Sequence, residues 1–533
     1  MLKKIFISLS FLLVNTVVFS QTKFQKIFEK GFSTIYGSQQ TADGGYIMGG
    51  LHQVSATDFD YLAVKTNASG DTLWTKTYGG IGDEECYAMQ QTNDGGYIFA
   101  GIDSSSGLGN YNVYLVKTNA TGDTLWTKSY GGSNHDFGQA VQQTADGGYI
   151  IAGYTNSFST GGYDDVYLLK TDANGNLTWS KTYGGLYTDD AFAVKQTADG
   201  GYIIVGITSG FGISPYGSIN DLYVIKTDAS GGLTWSKTYG QDGDDWAYSI
   251  IQTQDGGYAI VGHTNIDSTA SLSDLYLIKI NSIGDTLFTK SFGGVNYDKG
   301  LVITEALDGG LVMGGSTYSF GNGGSDVYLL KTDANGNFIF NSTYGVSGND
   351  FAYAISQTSD KGYVLGGYTD NALVSNSSFY IIKTDSLGKS DTCNRTTPTP
   401  TIINGVAKIT TPATIVGTPA TITEKNTHTT NLGHGVAFYD ACPQPPLGIK
   451  QTVGKEINFI VYPNPSNGNM LVKTNNLKEN TQLVIYNQLG QTILVKQLNS
   501  ELTNLNLDVS AGVYQMRILS GNELIYQTKL IKE

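Results

Sequence analysis

The tripeptide Asp-Gly-Gly, followed by an aromatic or apolar residue, recurs along this chain at a nearly constant interval, and that interval constrains the fold more than any other feature. It begins at Asp43, Asp94, Asp146, Asp199, Asp255 and Asp308, and returns altered as Asp360-Lys361-Gly362. Successive gaps are 51, 52, 53, 56, 53 and 52 residues. A unit of this length cannot bury its apolar face alone, so its copies must stack as a solenoid or a propeller.

Each unit reads as four strands, a to d. In the third, Ala140–Thr144 is strand a, Tyr149–Tyr154 strand b, Val166–Thr171 strand c and Leu177–Tyr183 strand d. Asp-Gly between two apolar runs is a strong hairpin signal, because the turn needs positive φ. The c–d turn carries Asp or Asn, two spacers and Gly, as in Asp172 to Gly175; the first residue bonds its own backbone and the glycine supplies the left-handed position. Strand c recurs seven times with Tyr and Lys at fixed offsets, from Tyr61 and Lys65 to Tyr380 and Lys383, the first pair being one residue wider than the rest.

Strand d follows only six of the seven c strands, marked by Trp74, Trp126, Trp179, Trp235, Phe288 and Phe340. The missing copy stands at the other end, in Gln25–Gly31, ahead of the first Asp-Gly-Gly. A unit split between the termini is what a closed ring requires, since it leaves no open sheet edge; an open solenoid would want caps. The reading is all-β: a seven-bladed β-propeller over 24–390, closed by an N-terminal strand. The repeated tryptophans, and Trp246 with them, are expected to pack inside.

Three further segments flank this body. Residues 1–20 read as a signal peptide, with Lys3 and Lys4 before an apolar run that Ser8, Ser10, Asn15 and Thr16 interrupt. Residues 391–457 read as a Thr- and Pro-rich linker in which Val406–Ile422 alternates like a hairpin. Export favours a disulfide between Cys393 and Cys442, worth about 4 kcal/mol for a loop of that length; Cys86 is expected to be buried. Residues 459–533 alternate as strands of a small C-terminal β-sandwich.

The last segment opens on Tyr462-Pro463-Asn464-Pro465 with Gly468, continues through Ile485-Tyr486-Asn487 and Gly490, then Ala511-Gly512-Val513-Tyr514, and closes around Lys529. In that order these motifs resemble the type A C-terminal sorting domain of the type IX secretion system of Bacteroidota. The resemblance implies passage across the outer membrane, a partnership with the type IX machinery, and removal of the domain as the body is released or attached to a glycolipid. The expected location is secreted or on the outer-membrane surface.

Function belongs to the face built from the d–a and b–c loops, which hold all the length variation, because binding residues concentrate on variable loops over a rigid scaffold. An acidic residue stands there ten positions before each turn Asp: Glu84, Asp136, Asp189, Asp245, Asp298 and Asp350. A second series, Asp60, Asp165, Asp221, Asp274 and Asp326, precedes strand c. Repetition in nearly every unit favours caps on backbone amides; the alternative is a carboxylate-lined mouth for Ca²⁺, a cationic partner or sugar hydroxyls. Tyr163, Tyr187, Tyr216 and Tyr297 lie in the same loops and are placed to stack on a sugar ring, with simple loop packing as the plainer reading.

Several activities fall away. A net charge of -14 disfavours nucleic acid and anionic lipid. Asp172–Asn176 resembles an EF-hand start but lacks the twelfth-position Glu. It also resembles the Asp-box of sialidase propellers, with spacing one residue too long, and no arginine lies between residues 21 and 390 for a sialidase's substrate carboxylate. The chain therefore reads as a monomeric, non-enzymatic binding protein that needs no cofactor, Ca²⁺ being the one ion considered. The alternative is an endoglucanase-like hydrolase using the loop carboxylates.

Overall fold

The computed structural model describes residues 21–532 apart from short stretches, the longer being 212–218, 266–271, 371–376, 441–458, 463–468 and 475–480. The signal peptide, Tyr216, Cys393, Cys442, Pro463, Asn464, Pro465, Gly468 and Gly490 lie outside the described residues. The chain divides into two compact units, 1–442 and 443–533. Among the described residues every regular element is a strand, and no helix is long and apolar enough to cross a membrane.

The first unit contains seven antiparallel sheets, each built on four strands in repeat order, consistent with propeller-like repeats. Its a strands are Ser33–Gln40, Glu84–Gln91, Asp136–Gln143, Asp189–Gln196, Asp245–Gln252, Asp298–Glu305 and Asp350–Gln357. In the seventh sheet the fourth strand is the N-terminal Phe24–Glu29, which pairs with Ser378–Thr384 in the register Ile27↔Tyr380 and Phe28↔Phe379. Ile27 and Phe28 are fully buried in that sheet's core.

The Asp-Gly-Gly motif is explained atom by atom. Asp146 accepts from Thr144 Oγ1 (2.5 Å) and from Gly148 N (3.0 Å), and pairs at 2.8 Å with buried Lys170 of strand c. Gly147 has φ of 84°, and a Cβ on Gly148 would lie 2.1 Å from the Thr171 carbonyl. One glycine supplies the left-handed conformation and the other the close approach. The same Lys–Asp pair recurs in all seven sheets, from Lys65–Asp43 to Lys383–Asp360.

Contacts between sheets are as regular. Each strand-d aromatic covers the c–d turn glycine of the next sheet: Trp74 on Gly122, Trp126 on Gly175, Trp179 on Gly231. Phe24 of the seventh sheet covers Gly70 of the first. Backbone amides of the a–b turns donate to a glutamine at the end of the next a strand, as Ala145 N does to Gln196 Oε1 (2.8 Å). Ser359 N of the seventh sheet donates to Gln40 of the first at 2.8 Å.

Residues 395–440 depart from the linker reading. They supply one further antiparallel strand to the outer edge of every sheet, in reverse order. Arg395–Thr396 adds to the sixth sheet, Thr401–Gly405 to the fifth, Lys408–Thr410 to the fourth and Ile415–Gly417 to the third. Ile422–Glu424, His428–Asn431 and Ala437–Asp440 then reach the second, the first and the N-terminal strand. The alternation over Val406–Ile422 is thus two edge strands on different sheets, and no hairpin forms between them. An outer strand otherwise presents a row of unpaired backbone groups, and the short runs of this segment, two to five residues each, cover one edge apiece.

The second unit holds two antiparallel sheets. One comprises Phe459–Tyr462, Asn469–Thr474 and Leu502–Asn506; the other Thr481–Tyr486, Thr492–Gln497, Gly512–Ser520 and Glu523–Lys532. Both contribute to one core that includes Met470, Val472, Leu483, Ile485, Leu505, Met516, Ile518 and Leu530.

Candidate functional site

Every strand a starts at a seam with the preceding repeat. The recurrent acidic residue there is fully buried at Glu84, Asp136, Asp189, Asp245, Asp298 and Asp350. Each accepts a hydrogen bond from the amide four residues earlier: Gly80 (2.6 Å), Gly132 (2.8 Å), Gly185 (2.8 Å), Gln241 (2.6 Å), Gly294 (2.8 Å) and Val346 (2.9 Å). Asp136 also accepts from Ser157 (2.8 Å) and Asp298 from Ser319 (2.6 Å). The arrangement is that of a loop cap, as repetition in the sequence led one to expect.

The second acidic series meets the first at these seams. A Cβ built on Gly184 would lie 2.2 Å from Asp165 Oδ1 and 2.9 Å from Asp189 Oδ2, and Gly240, Gly293 and Gly345 bridge Asp221 with Asp245, Asp274 with Asp298, and Asp326 with Asp350 in the same way. Asp60 meets Glu84 beside Gly79, while the third seam joins Asn112 to Asp136 beside Gly131. Burial above all, reinforced by the neighbouring carboxylate, pushes Asp189 and Asp245 up to about 7 and Asp274 up to about 6. Asp326 is likewise pushed up to about 7 and Asp350 to about 6, burial again leading. Asp136, Asp165 and Asp298 are also raised, burial being the first cause. Two like charges held this close favour sharing a proton.

The loop tyrosines stay outside. Tyr163 and Tyr187 are half exposed and face each other with ring centroids 5.9 Å apart. Tyr297 is 42 % exposed, 6.4 Å from Tyr318. Among the described residues no group of three or more His, Cys, Asp or Glu side chains is placed to hold a metal ion. Cys86 is buried, and its thiol is raised by burial. Trp126 and its equivalents pack against the tyrosine that follows the next Asp-Gly-Gly, such as Tyr149 at 5.8 Å.

A feature the sequence reading missed lies just inside the seams. Every a strand is bulged three residues past its start, at Tyr36, Tyr87, Gln139, Phe192, Tyr248, Leu301 and Tyr353. A bulge re-aims the extra side chain, and five of the seven are aromatic. Tyr36 touches Tyr87 of the second sheet (5.4 Å) and Tyr353 of the seventh (5.1 Å). Trp246, expected in the core, is half-buried and stacks on Phe192 of the preceding sheet (5.9 Å) and on His263 (5.9 Å). The signal was available: an aromatic stands seven positions before the turn Asp in five of the seven units.

In the second unit, Asn487 Oδ1 accepts from Gln491 N (2.9 Å), and Tyr514 Oη donates to the Ser510 carbonyl (2.8 Å). Lys529 lies in the last strand opposite Gln515, Gly512 opens the strand before it, and Tyr462 ends the first strand.

Residues 460–533 match the family described as "Secretion system C-terminal sorting domain". The C-terminal unit is therefore a sorting domain of the type IX system, and it implies export by that machinery, to the medium or the cell surface. Over 156 residues the chain is 26 % identical to the regulatory protein FlaEY of Caulobacter vibrioides (strain ATCC 19089 / CIP 103742 / CB 15), a match covering 25 % of this chain and 16 % of that one. Among solved structures it is similar to PorZ, a surface component of the type IX secretion system of Porphyromonas gingivalis, at 9 % identity and a TM-score of 0.28, covering 94 % of this chain and 81 % of that one. It is also similar to NanB sialidase from Streptococcus pneumoniae, at 12 % identity and a TM-score of 0.36, covering 71 % and 73 %. At such scores neither likeness speaks to function.

Proposed function

We propose that this chain is an exported binding protein of a Bacteroidota species: a seven-bladed β-propeller, shut by its N-terminal strand, that acts without catalysis at the cell surface or in the medium. Removal of a signal peptide over 1–20 and later of 459–533 would leave the propeller as the mature body. One observation carries the reading. The seven a–b and c–d turns repeat the same contacts sheet after sheet, whereas the opposite loops vary in length and present exposed tyrosines such as Tyr163, Tyr187 and Tyr297. A rigid frame with one variable end suits recognition. The carboxylates a hydrolase would recruit, Asp136, Asp189, Asp245, Asp298 and Asp350, are each committed to an amide of their own loop.

Ring closure is supported by the contacts from the seventh sheet to the first, Phe24 on Gly70 and Ser359 on Gln40. Deleting 22–32 should therefore bring aggregation or a sharply lower melting temperature; a truncated protein melting like the full chain would refute closure. Binding and turnover are separated by screening the mature protein on glycan and surface-protein arrays while assaying product release. Turnover with a bound glycan would favour the hydrolase instead. Deleting 459–533 should leave folded protein in the periplasm, and surface protein ending mostly at Glu533 would contradict cleavage.

The disulfide is proposed on the same footing. Ser390 accepts from Gln25 Nε2 at 2.7 Å, and Asp440 pairs with the adjacent Lys26. Cys393 and Cys442 follow these two anchors by three and two residues. Their bond would turn the outer strands of 395–440 into a covalent hoop around the sheets. Non-reducing mass spectrometry of exported protein should find the cross-linked peptide; free thiols at both positions would exclude it.

A further inference from the structure

We infer that the aromatic residues at the starts of the a strands form a binding site for a neutral, hydroxyl-rich ring, that is, a saccharide. The inference rests on the propeller reading above, because only in a closed ring do these residues surround a common axis. It moves the site from the outer loops to the middle of the molecule.

The evidence begins with exposure. Tyr36, Tyr87, Phe192, Tyr248 and Tyr353 at the bulges are all half-buried, in a protein whose other tyrosines on strands b to d are largely sealed. Second-position side chains add Phe137, Trp246 and Phe351, half-buried as well. The rings are continuous from sheet to sheet: Phe351 beside Tyr353 (6.3 Å), Tyr353 beside Tyr36 (5.1 Å), Tyr36 beside Tyr87 (5.4 Å), Tyr87 beside Phe137 (6.4 Å). A second run joins Phe192, Trp246 and Tyr248. A contiguous apolar surface of this kind on an exported protein marks an interaction site, and it offers ring faces in several orientations.

Charge then selects the occupant. The same second positions carry Glu85, Asp190 and Lys299 between the aromatics. Tyr87 Oη donates to Glu85 Oε2 at 2.7 Å. Asp190 Oδ1 is buried with no hydrogen-bond partner among the described residues. A cation would meet Lys299 and an anion would meet Glu85 and Asp190, so neither fits the whole collar. Burial also drives these groups toward neutrality. It raises Glu85, pushes Asp190 up to about 7 with help from Asp164 and Asp189, and lowers Lys299. His263, stacked on Trp246, is held down at about 3 by burial and then by Lys299. What remains is two arcs of aromatic faces with both donors and acceptors between them, the combination that orients a sugar: C–H faces on the rings, hydroxyls on the polar groups.

The experiment uses the mature exported protein and defined probes: neutral tetrasaccharides of glucose, xylose and mannose, against tetragalacturonate and a chitosan tetramer. Four of the five tryptophans pack between sheets, so a change in Trp246 emission reports the collar. At least one neutral tetramer should bind with a Kd below about 1 mM and change the fluorescence, and Trp246→Phe should abolish the change. Tyr36→Ala and Tyr353→Ala should each weaken binding about tenfold, the loss of one stacked face, with Tyr36→Leu as a variant of kept bulk and melting temperatures as the folding control. Tyr163→Ala with Tyr187→Ala tests the outer loops instead, and a site at the collar predicts a smaller loss there than in either the Tyr36 or the Tyr353 variant. Loss of affinity only in the loop variant would overturn the collar while leaving the binding platform. Preference for a charged tetramer, or no saccharide bound while a protein partner is, would overturn the saccharide class and again spare the platform. Turnover of a bound tetramer would overturn the non-catalytic reading instead.

Discussion

In five of the seven repeats the a strand is flanked by an aspartate at each end, and the two do opposite work. At the turn end, partial burial is the largest single influence on Asp43, Asp94, Asp146, Asp199 and Asp255 and acts upward, but the Thr hydroxyl, the strand-c lysine and a turn amide together outweigh it and hold each down at about 2. At the seam end, Asp189, Asp245 and Asp350 are buried beside a second carboxylate and sit at about 6 to 7. One residue type thus supplies a fixed charge at one end and a readily protonated group at the other. The deciding variables are depth and company: the turn carboxylate stays largely exposed beside an ammonium, whereas the seam carboxylate is buried, with another acid adding to what burial does.

The largest effect should come from breaking the turn. Asp146→Ala strands the Lys170 ammonium, which is 6 % exposed, with only the Thr171 carbonyl. It also removes two acceptor contacts in the turn, to Thr144 and Gly148. Losing hydrogen bonds to a charged group costs about 2–3 kcal/mol. Denaturant unfolding should register it; a change below about 0.5 kcal/mol, the size of an ordinary surface substitution, would mean that the pair is ornamental.

Acidity separates the two ends without mutation. Unfolded aspartate titrates at about 4. The turn carboxylates, lower when folded, contribute stability above that point and lose it as pH falls toward about 2. The seam carboxylates, higher when folded, contribute stability that is complete below about 4 and is lost as pH rises through about 6 to 7. Melting temperature should therefore peak between about pH 4 and 6 and fall by several degrees by about pH 8.5. A profile that is flat or rising above pH 6 would break the seam half of the comparison.

Much of this was legible in the sequence because the repeat is local. The turn chemistry follows from Asp146-Gly147-Gly148 alone, and the split unit pointed to pairing of Phe28 with the strand of Tyr380, which the register bears out. The position of the seam acids was visible as well, and capping of an amide in their own loop was the favoured reading, but their burial was not foreseen. Two things were not legible. Pairing of Asp165 with Asp189 depends on how neighbouring sheets abut, which no spacing within one unit encodes. The outer strands of 395–440 each pair with a partner 50 to several hundred residues away, so their three-residue runs looked like one local hairpin. The aromatic collar was overlooked for a third reason: a bulge breaks the two-residue alternation by which strand faces are read.

A smaller effect is expected from relieving one seam. Asn112 already stands opposite Asp136 in the third seam, so the fold tolerates an amide in place of one acid. Asp245→Asn keeps an acceptor for Gln241 N and can donate toward Asp221. Stability should be nearly unchanged at about pH 5, and at about pH 8 should rise by on the order of 1 kcal/mol, flattening the alkaline limb of the melting profile. Loss of stability at both pH values would show that the second oxygen matters more than the shared proton. Millimolar Ca²⁺ should leave the wild-type melting temperature where it is; a rise of several degrees, reversed by chelator, would mean that the seams bind the ion by mass action.

The seventh turn offers the finest test, because there the repeat itself has varied. Lys361 stands where the other six turns carry the first glycine, and with φ of 67° it is the one described non-glycine residue in the left-handed region. Its neighbours are otherwise regular: Gly362 N and Lys383 Nζ both reach Asp360, at 3.0 Å and 2.9 Å. A left-handed L-residue costs about 1–2 kcal/mol, and glycine gives back part of that through its freer unfolded chain. Lys361→Gly should therefore stabilise by about 0.5–1 kcal/mol, and the reverse exchange, Gly147→Lys, should destabilise by about as much. Both changes lie on the solvent side of a turn, so the ion pair beneath should be untouched. If Lys361→Gly instead weakens the protein, the turn geometry of the seventh sheet is set by the lysine side chain, and the Asp–Lys pairs of the seven turns are not equivalent.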